Sequence, residues 1–529
     1  MLTVLAWLGI ASTQALAQAR APEALRGTTG SNAPPPALAE PPDAGLPPLG
    51  DTTTSGLGTS EFSQPANYGK PRKKRKNPPR NPPAAKTTRP LPLLTPYSTA
   101  ATPGRRGGRG PSALELDADA PQPGPTVAVN AQPLRRPRPR SEADPYAPVG
   151  FGVGSLRLYP AIEGSVGYDS NPNRVPAASQ GSGFARVDGA LGIQSDWARH
   201  ELKATLRGGY TDFFQVSSAN RPDAAAVVDE RIDITRDTAI DLQQRYTLTT
   251  QSPGSTTVLP TLPAGVATVG RPLVQSLGAS AGVTQKFNRL SLSLRGAVDR
   301  TDYQDAKLSD GTVSKLSADN YNDYTLRGRA AYEATPGISP FVEVTASQRR
   351  HDQKLDNSAS QFARDSRGLS AAVGSSFELS RLLTGEASIG YGARHYDDAR
   401  LKDLRGLITD ASLTWTPTPL TTVKLKAGTT LAETNTSGAS GALQRSVGVE
   451  LSHALLRNLT LGASLSYTNT DYQGIRQTDQ LFAAGLKAEY NLTRSVVLKA
   501  NFTHERLKST SPGTDYTANV FLLGLRLQQ

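Results

Sequence analysis

The sequence predicts an all-β fold: a transmembrane antiparallel up-and-down β-barrel of 16–18 strands, preceded by a disordered proline-rich N-terminal segment. Three observations predict it. Apolar and polar residues alternate through residues 156–529, most alternating runs are 10 to 15 residues long, and short turns alternate with long polar loops. Strands of soluble sheets have about 5–6 residues, whereas a tilted strand needs about 9–11 to cross a bilayer.

The composition of the 529-residue chain excludes several classes of protein. The chain has no cysteine, so it has no disulfide scaffold, cysteine metal site or thiol nucleophile. Only 37% of its residues are hydrophobic, and no stretch approaches the roughly 18 consecutive apolar residues of a membrane-spanning helix.

Residues 1–19 have the layout of a secretory signal peptide. An apolar stretch leads into small residues, with Ala-x-Ala sites at Ala15–Ala17 and Ala17–Ala19. No Lys or Arg precedes the apolar stretch, which a mis-assigned start codon would explain. A buried N-terminal strand or helix is the alternative, and it is disfavoured because the residues that follow cannot form a core.

Residues 20–150 are predicted to be a disordered, basic, periplasmic linker. They contain 27 of the 40 prolines, including the run Pro34–Pro36. Proline removes backbone donors and fixes φ, so neither helix nor sheet propagates through such runs. Few large apolar residues are present to offset the entropy of ordering.

The linker also carries most of the charge, with 18 Lys and Arg against 10 Asp and Glu, or +8 of the total +12. The densest run is Lys70–Lys76. By itself this run resembles a nucleic-acid patch. Behind a signal peptide we expect no nucleic acid, and contact with an anionic envelope polymer or lipid headgroups instead. A solvated run without any partner is an equally weighted alternative.

Residues 156–529 carry the barrel. In one run Leu290, Leu292 and Leu294 share a face, and Arg295 lies on the other. Eight short and nine long connections give 18 strands, with short turns on the periplasmic side and longer loops outside. The same period of two recurs in four further runs: Leu202–Tyr210, Val423–Leu431, Leu459–Tyr467 and Phe521–Leu527.

Aromatic residues lie toward strand ends, as the girdles at the two lipid interfaces require. Ordinary strand propensity explains any one of them, so only the combined placement is evidence. The set is Tyr168, Tyr210, Phe213, Tyr246, Tyr324, Tyr332, Tyr391, Trp415, Tyr467, Tyr490 and Phe502.

The start of the domain, Pro160–Asn171, is a strand that ends in a Tyr-Asp-x-Asn-like turn at Tyr168–Asn171. In this it resembles the putative β-barrel porin 2 family of bacterial outer-membrane proteins, over residues 156–529. The resemblance implies a channel or an accessory to polysaccharide export, without choosing between them.

The C-terminal strand departs from the usual pattern of outer-membrane barrels. Such barrels usually end on an aromatic residue that the barrel-assembly machinery recognises, whereas here Leu527 takes that place and Gln528 and Gln529 follow. We therefore expect the machinery to be a partner and assembly to be less efficient.

The search for catalytic motifs predicts no enzyme, no cofactor and no metal site. Gly278–Gly282 matches the GxSxG pattern of hydrolases, but it lies within a strand and not at a strand-to-helix elbow. The five histidines are scattered. His504 lies in the lipid-facing register near the outer rim, so an outer-membrane lipase would need a hydroxyl beside it. The loop pair Asp397–Asp398 is interpreted as solvated.

The polar register predicts the lining of a water-filled lumen. In the whole selected set, which also includes Asp233, Arg349 and Glu489, bases outnumber acids twelve to three. We therefore expect a porin-like channel with a weak preference for anions. The candidate lining residues are Lys203, Arg207, Arg231, Arg245, Arg295, Arg327, Arg329, Glu343, Lys424, Lys426, Lys487 and Lys499.

Two other functions compete with the porin. One is a structural or accessory barrel for export of an anionic polysaccharide, whose N-terminal arm contacts envelope partners. The other is a plugged active transporter, which is disfavoured because such transporters have about 22 strands and a folded plug. Large steady single-channel openings favour the porin over the accessory barrel.

Overall fold

The computed structural model describes residues 146–176, 179–251, 270–356, 361–436 and 438–529. The expected signal peptide (1–19) and residues 20–145 of the expected linker lie outside the described residues. So do residues 252–269 of the longest loop.

The described residues form a closed antiparallel barrel of 18 long strands, which confirms the predicted fold class. In chain order the barrel strands are β2 (Leu156–Asp169), β3 (Ser182–Ser195), β4 (Glu201–Phe213), β5 (Arg221–Asp233), β6 (Thr238–Thr250), β7 (Leu273–Phe287), β8 (Leu290–Tyr303), β11 (Tyr321–Tyr332), β12 (Ile338–His351), β13 (Ser366–Ser380), β14 (Leu383–Tyr396), β15 (Leu404–Thr418), β16 (Thr421–Glu433), β17 (Gly441–Leu456), β18 (Leu459–Gln473), β19 (Thr478–Asn491), β20 (Val496–Ser509) and β21 (Tyr516–Gln528). Each pairs with its neighbours in the chain, and β8 pairs with β11.

The first and last barrel strands close the wall. The β2–β21 register runs from Ala161 opposite Gln528 to Asp169 opposite Val520. Below Ala161 the short strand β1 (Phe151–Val153) pairs with the start of β2. The edge of β2 is therefore covered along most of its length, which satisfies backbone groups that an open edge would expose.

The connections follow the predicted alternation of short turns and longer loops, except that the β18–β19 connection, predicted to be long, is the four-residue turn 474–477. One turn is the two-residue link 288–289, where Asn288 has φ of 55°. The β8–β11 loop contains a small hairpin, β9 (Ala306–Lys307) with β10 (Val313–Ser314). Short 3₁₀ turns lie at Ser217–Ala219 and Ser317–Asp319. Within the described residues, no helix is long and apolar enough to cross a bilayer.

The two faces of the strands differ as the alternation requires. Apolar side chains on the outer face are exposed, for example Leu369 at 61% and Leu277 at 60%. On the inner face Asp188 and Lys499 are each only 2% exposed. Because side chains alternate along a strand, register alone assigns each residue to one face.

Phe213 is a correction to the predicted aromatic girdle. It lies on the inner face at the loop end of β4, is 2% exposed, and packs on Phe184 with ring centroids 5.2 Å apart. Val216 and Ala219 of the following loop belong to the same cluster. The prediction was wrong because a loop, not lipid, covers this ring.

Candidate channel lumen

The inner face of the barrel carries all twelve candidate lining residues. Each is separated by an odd number of positions from exposed apolar residues of its own strand, so its side chain points to the opposite, inner face. For example, Arg207 follows Leu206, and Lys426 follows Leu425. Cross-strand partners extend this assignment around the wall, since residues directly opposite one another share a face.

The most buried charges lie beside the closing seam. Lys499 Nζ is 3.0 Å from Glu163 Oε2 and 3.7 Å from Glu489 Oε1. Lys487 Nζ approaches the same Glu489 oxygen at 3.3 Å. The Lys499 and Glu163 side chains are 2% and 3% exposed. Ions this buried are costly unless paired, so the network holds β2, β19 and β20 in one arrangement.

A second group of charges spans β11, β12 and β14 at mid-height. Arg329 donates two hydrogen bonds to Glu386, at 2.8 and 2.7 Å. Glu343 lies 3.8 Å from Arg329 and 3.6 Å from Arg327. Arg295 lies opposite Arg327 in the β8–β11 register and donates to Ser280 Oγ at 3.1 Å. Arg327 and Arg329 therefore share Glu343.

Above this group, toward the loops, lies a third cluster. Arg349 donates to both Asp323 oxygens at 3.0 and 2.8 Å, and its Nε is 3.4 Å from Glu433. Arg394 is ion-paired with the same Glu433. Bidentate arginine–carboxylate pairs fix geometry as well as charge, so this part of the wall is rigid.

The inner faces of β3, β5, β6 and β8 carry pairs of the same kind. Arg186 bonds Asp188 at 2.5 Å and Asp223 at 2.7 Å. Arg245 donates to Asp299 at 2.5 Å.

Near the short turns, the candidates Lys203 and Arg231 are paired with local carboxylates, Glu201 and Asp233. Among the remaining candidates, Lys424 lies opposite Glu450 in the register and Lys426 opposite Gly448. Arg207 makes no ion pair within the described part of the chain.

Sequence reasoning missed most of the acids that pair with these bases. The same period of two places all of them except Glu433 on the inner face, so applying it to carboxylates would have found them. The missed partners are Glu163, Asp188, Asp223, Asp299, Asp323, Glu386 and Glu433.

The extracellular rim is built by loops packed on inward side chains. Tyr396, Leu401 and Leu404 form a buried cluster at the loop ends of β14 and β15. Arg364, which is 3% exposed, donates to the carbonyls of Thr434 at 2.7 Å and Ala439 at 3.0 Å. Three consecutive extracellular loops are therefore tied together and do not move independently.

Asp365 anchors the first of these loops. It accepts hydrogen bonds from the His351 backbone N–H at 2.7 Å and from Arg350 at 3.0 Å. Burial raises the pKa of Asp365, but its hydrogen bonds with His351 and Arg350 outweigh burial and lower the pKa to about 2. In the next loop, hydrogen bonding from the Arg400 guanidinium lowers the pKa of Asp398.

Candidate catalytic groups are not assembled into a site. Gly278–Gly282 lies inside strand β7, where Ser280 accepts a bond from Arg295. His504 Nδ1 pairs with the amide oxygen of Asn519 at 2.7 Å and its ring packs against Phe482. Among the residues that the structure describes, no group of three or more His, Asp or Glu side chains is arranged to hold a metal.

A family model described as putative beta-barrel porin 2 matches residues 144–529. The chain belongs to this family. Family membership and the 18-strand wall together make it a porin-like outer-membrane β-barrel protein. No curated protein sequence matches the chain.

Solved structures match the chain only at low similarity. The copper transporter OprC is 11% identical with a TM-score of 0.41, covering 72% of this chain and 81% of that one. OccAB4 of Acinetobacter baumannii is 10% identical with a TM-score of 0.36, covering 70% and 98%. OccK2 (OpdF) of Pseudomonas aeruginosa is 10% identical with a TM-score of 0.38, covering 72% and 99%. At this level, none of the three bears on what this chain transports.

Proposed function

We propose that the barrel is a channel for small hydrophilic solutes with a weak preference for anions. Family membership and a closed 18-strand wall with a charged inner face support this proposal. Barrels of about 16–18 strands enclose an aqueous channel.

The preference for anions is expected to be weak because most inner cations have carboxylate partners. Paired charges leave little net field along a pore. The observation that carries the remaining preference is Arg295, which bonds the Ser280 hydroxyl and makes no ion pair among the residues that the structure describes. Because its partner is a neutral hydroxyl, this inner cation opposite Arg327 would favour anions at that part of the wall.

Single-channel recording of the purified full chain in a planar bilayer tests the channel itself. We expect large, steady openings in symmetrical KCl. A correctly folded protein that stays electrically silent would contradict the proposal and favour the accessory barrel for polysaccharide export.

Reversal potentials under a KCl gradient test the preference for anions. The wild type should reverse on the anion-selective side, and Arg295→Gln should move the reversal potential toward zero. Arg445→Gln is the matched control, because Arg445 loses the same charge on the outer face. Cation selectivity in the wild type, or equal shifts in both variants, would contradict the assignment.

The proposal extends to the N-terminal part of the chain. Residues 20–150 would be a periplasmic arm, and Lys70–Lys76 would contact an anionic envelope polymer. Pull-down of anionic cell-wall or capsular polymer by the full chain, compared with a chain in which these basic residues are replaced by glutamine, tests the arm. Equal capture by both chains would contradict it.

A further inference from the structure

A groove lies on the outer face of the barrel, at the extracellular ends of β13, β14 and β15. Its volume is about 310 Å³. Cationic side chains and apolar side chains share its lining, which is unusual for a surface that faces lipid. The side chains that matter are Arg367, Leu369, Ala393, His395, Asp403 and Arg405.

The strand register brings the basic side chains of the groove close together. Arg367 lies directly opposite His395, and Arg405 lies opposite Ala393, two residues along the strand from His395. Side chains directly opposite one another are about 5 Å apart at Cβ, and diagonal neighbours are within reach of long side chains. Three basic groups therefore border one groove about two residues wide.

The groove lies at the edge of the apolar band. Leu369 is 61% exposed and is two residues below Arg367, and Leu407 is 54% exposed and is two residues below Arg405. Two residues along a strand correspond to about 7 Å. The cations therefore sit at headgroup depth on the loop side, with apolar side chains directly below them.

The two arginines of the groove differ from other arginines at the same height. Arg300 bonds Asp302 and Asp352, and Arg350 bonds Asp365 and Asp397. Arg367 and Arg405 are exposed and make no ion pair with any residue that the structure describes. Both charges are therefore available to a ligand.

Asp403 is the acid of the groove, and it is already engaged. Its Oδ1 lies 2.7 Å from Nδ1 of His395. Because Asp403 is paired with His395, the charges of the two arginines are not cancelled, and the groove has a net positive charge. A phosphate above Leu369 and Leu407 would meet two guanidinium groups, the side chain best suited to phosphate.

We propose that this groove binds a phosphate of the phosphorylated glycolipid of the outer leaflet, with an acyl chain lying along Leu369 and Leu407. The ligand must be amphipathic, because the cations border apolar side chains that face the hydrocarbon. A free anion would leave those side chains uncovered. The site is separate from the lumen, so it does not depend on the channel function.

Native mass spectrometry of the folded full chain in detergent tests the site. The probe is a synthetic diphosphorylated lipid A, compared with its dephosphorylated form and with phosphatidylglycerol. A basic residue beside an anionic surface contributes roughly fivefold in affinity. The Arg367→Gln/Arg405→Gln double variant should therefore bind lipid A about 25-fold more weakly.

The matched control is Arg445→Gln/Arg506→Gln, which removes two exposed outward charges from β17 and β20. It should bind lipid A like the wild type. Equal losses in the two double variants would overturn the site in favour of a diffuse charge effect. Binding of the dephosphorylated lipid or phosphatidylglycerol as tightly as lipid A would overturn the ligand. If the first double variant fails to fold, each single variant should show about a fivefold loss.

Discussion

The inner and outer faces of the barrel are built from the same strands but obey different rules. On the outer face, neighbours such as Val342, Val373 and Ile389 lie side by side and are 52 to 54% exposed to what would be lipid. On the inner face, neighbours such as Lys499, Glu489 and Glu163 have opposite charges and form ion pairs.

This difference reflects the two solvents. Any apolar side chain is stable against hydrocarbon, so outer positions tolerate exchange among apolar residues. A charged side chain at the same positions is destabilising. A buried charged side chain on the inner face needs a specific partner of opposite charge. Without that counterion, the free-energy cost of removing the ion from water is not compensated. The outer face is therefore defined by composition and the inner face by pairing.

The largest effect should come from breaking a buried pair on the inner face. Lys499→Met removes the buried ion pair between Lys499 and Glu163, and we expect the free energy of unfolding to fall by about 3–5 kcal/mol. Urea unfolding of the refolded barrel in lipid vesicles measures it.

Lys203→Met is the matched control, because Lys203 is also inward and paired but its side chain is 45% exposed. There we expect a loss of about 1 kcal/mol or less. Similar losses at both positions would show that burial does not govern the inner wall.

A charge placed on the outer face should have the next largest effect. Val373 lies mid-strand on β13, so Val373→Arg should cost about 2–4 kcal/mol. Ser370→Arg, on the inner face of the same strand, should cost less than about 1 kcal/mol. The same unfolding assay compares them, and a reversed order would assign the faces the other way round.

The loop that Asp365 anchors should loosen in acid, with a smaller effect. Because its folded pKa is lowered to about 2, its stabilisation is complete above pH 4 and is lost as the pH falls toward 2. Because the Asp365 side chain is partly exposed, we expect its protonation to lower the free energy of unfolding by roughly 1–2 kcal/mol.

Pepsin cleavage within loop 352–365 measures this loosening between pH 4 and pH 2, with rates normalised to an unstructured peptide. Wild-type cleavage should accelerate over that range, whereas Asp365→Asn should be cleaved quickly at both values. A wild-type rate that does not change with pH would contradict the role of Asp365.

The sequence was sufficient to predict the wall itself. Period-two runs such as Leu290–Leu294 fixed which residues face lipid, and the alternation of turns and loops gave 18 strands. These signals are local. The sequence of one strand is enough to predict which of its side chains face lipid and which face water, because alternate residues point to opposite sides of the wall.

The contacts between strands were not predictable in the same way. Glu386 meets Arg329 and Glu433 meets Arg349 only because three or more strands bring them together. Leu431 was counted among lipid-facing residues, yet it packs against the cluster around Tyr396 at the rim. Loop packing decides such positions, and loop packing leaves no periodic signal.

The central claim is that alternate residues of each strand face water and lipid. The absence of native cysteine allows single cysteines to be placed along β18 and labelled with a charged, water-soluble maleimide in vesicles. Ser464→Cys and Ser466→Cys should react rapidly, whereas Leu465→Cys and Tyr467→Cys should be protected. Labelling that is uniform along the strand, or fastest at 465 and 467, would contradict the account.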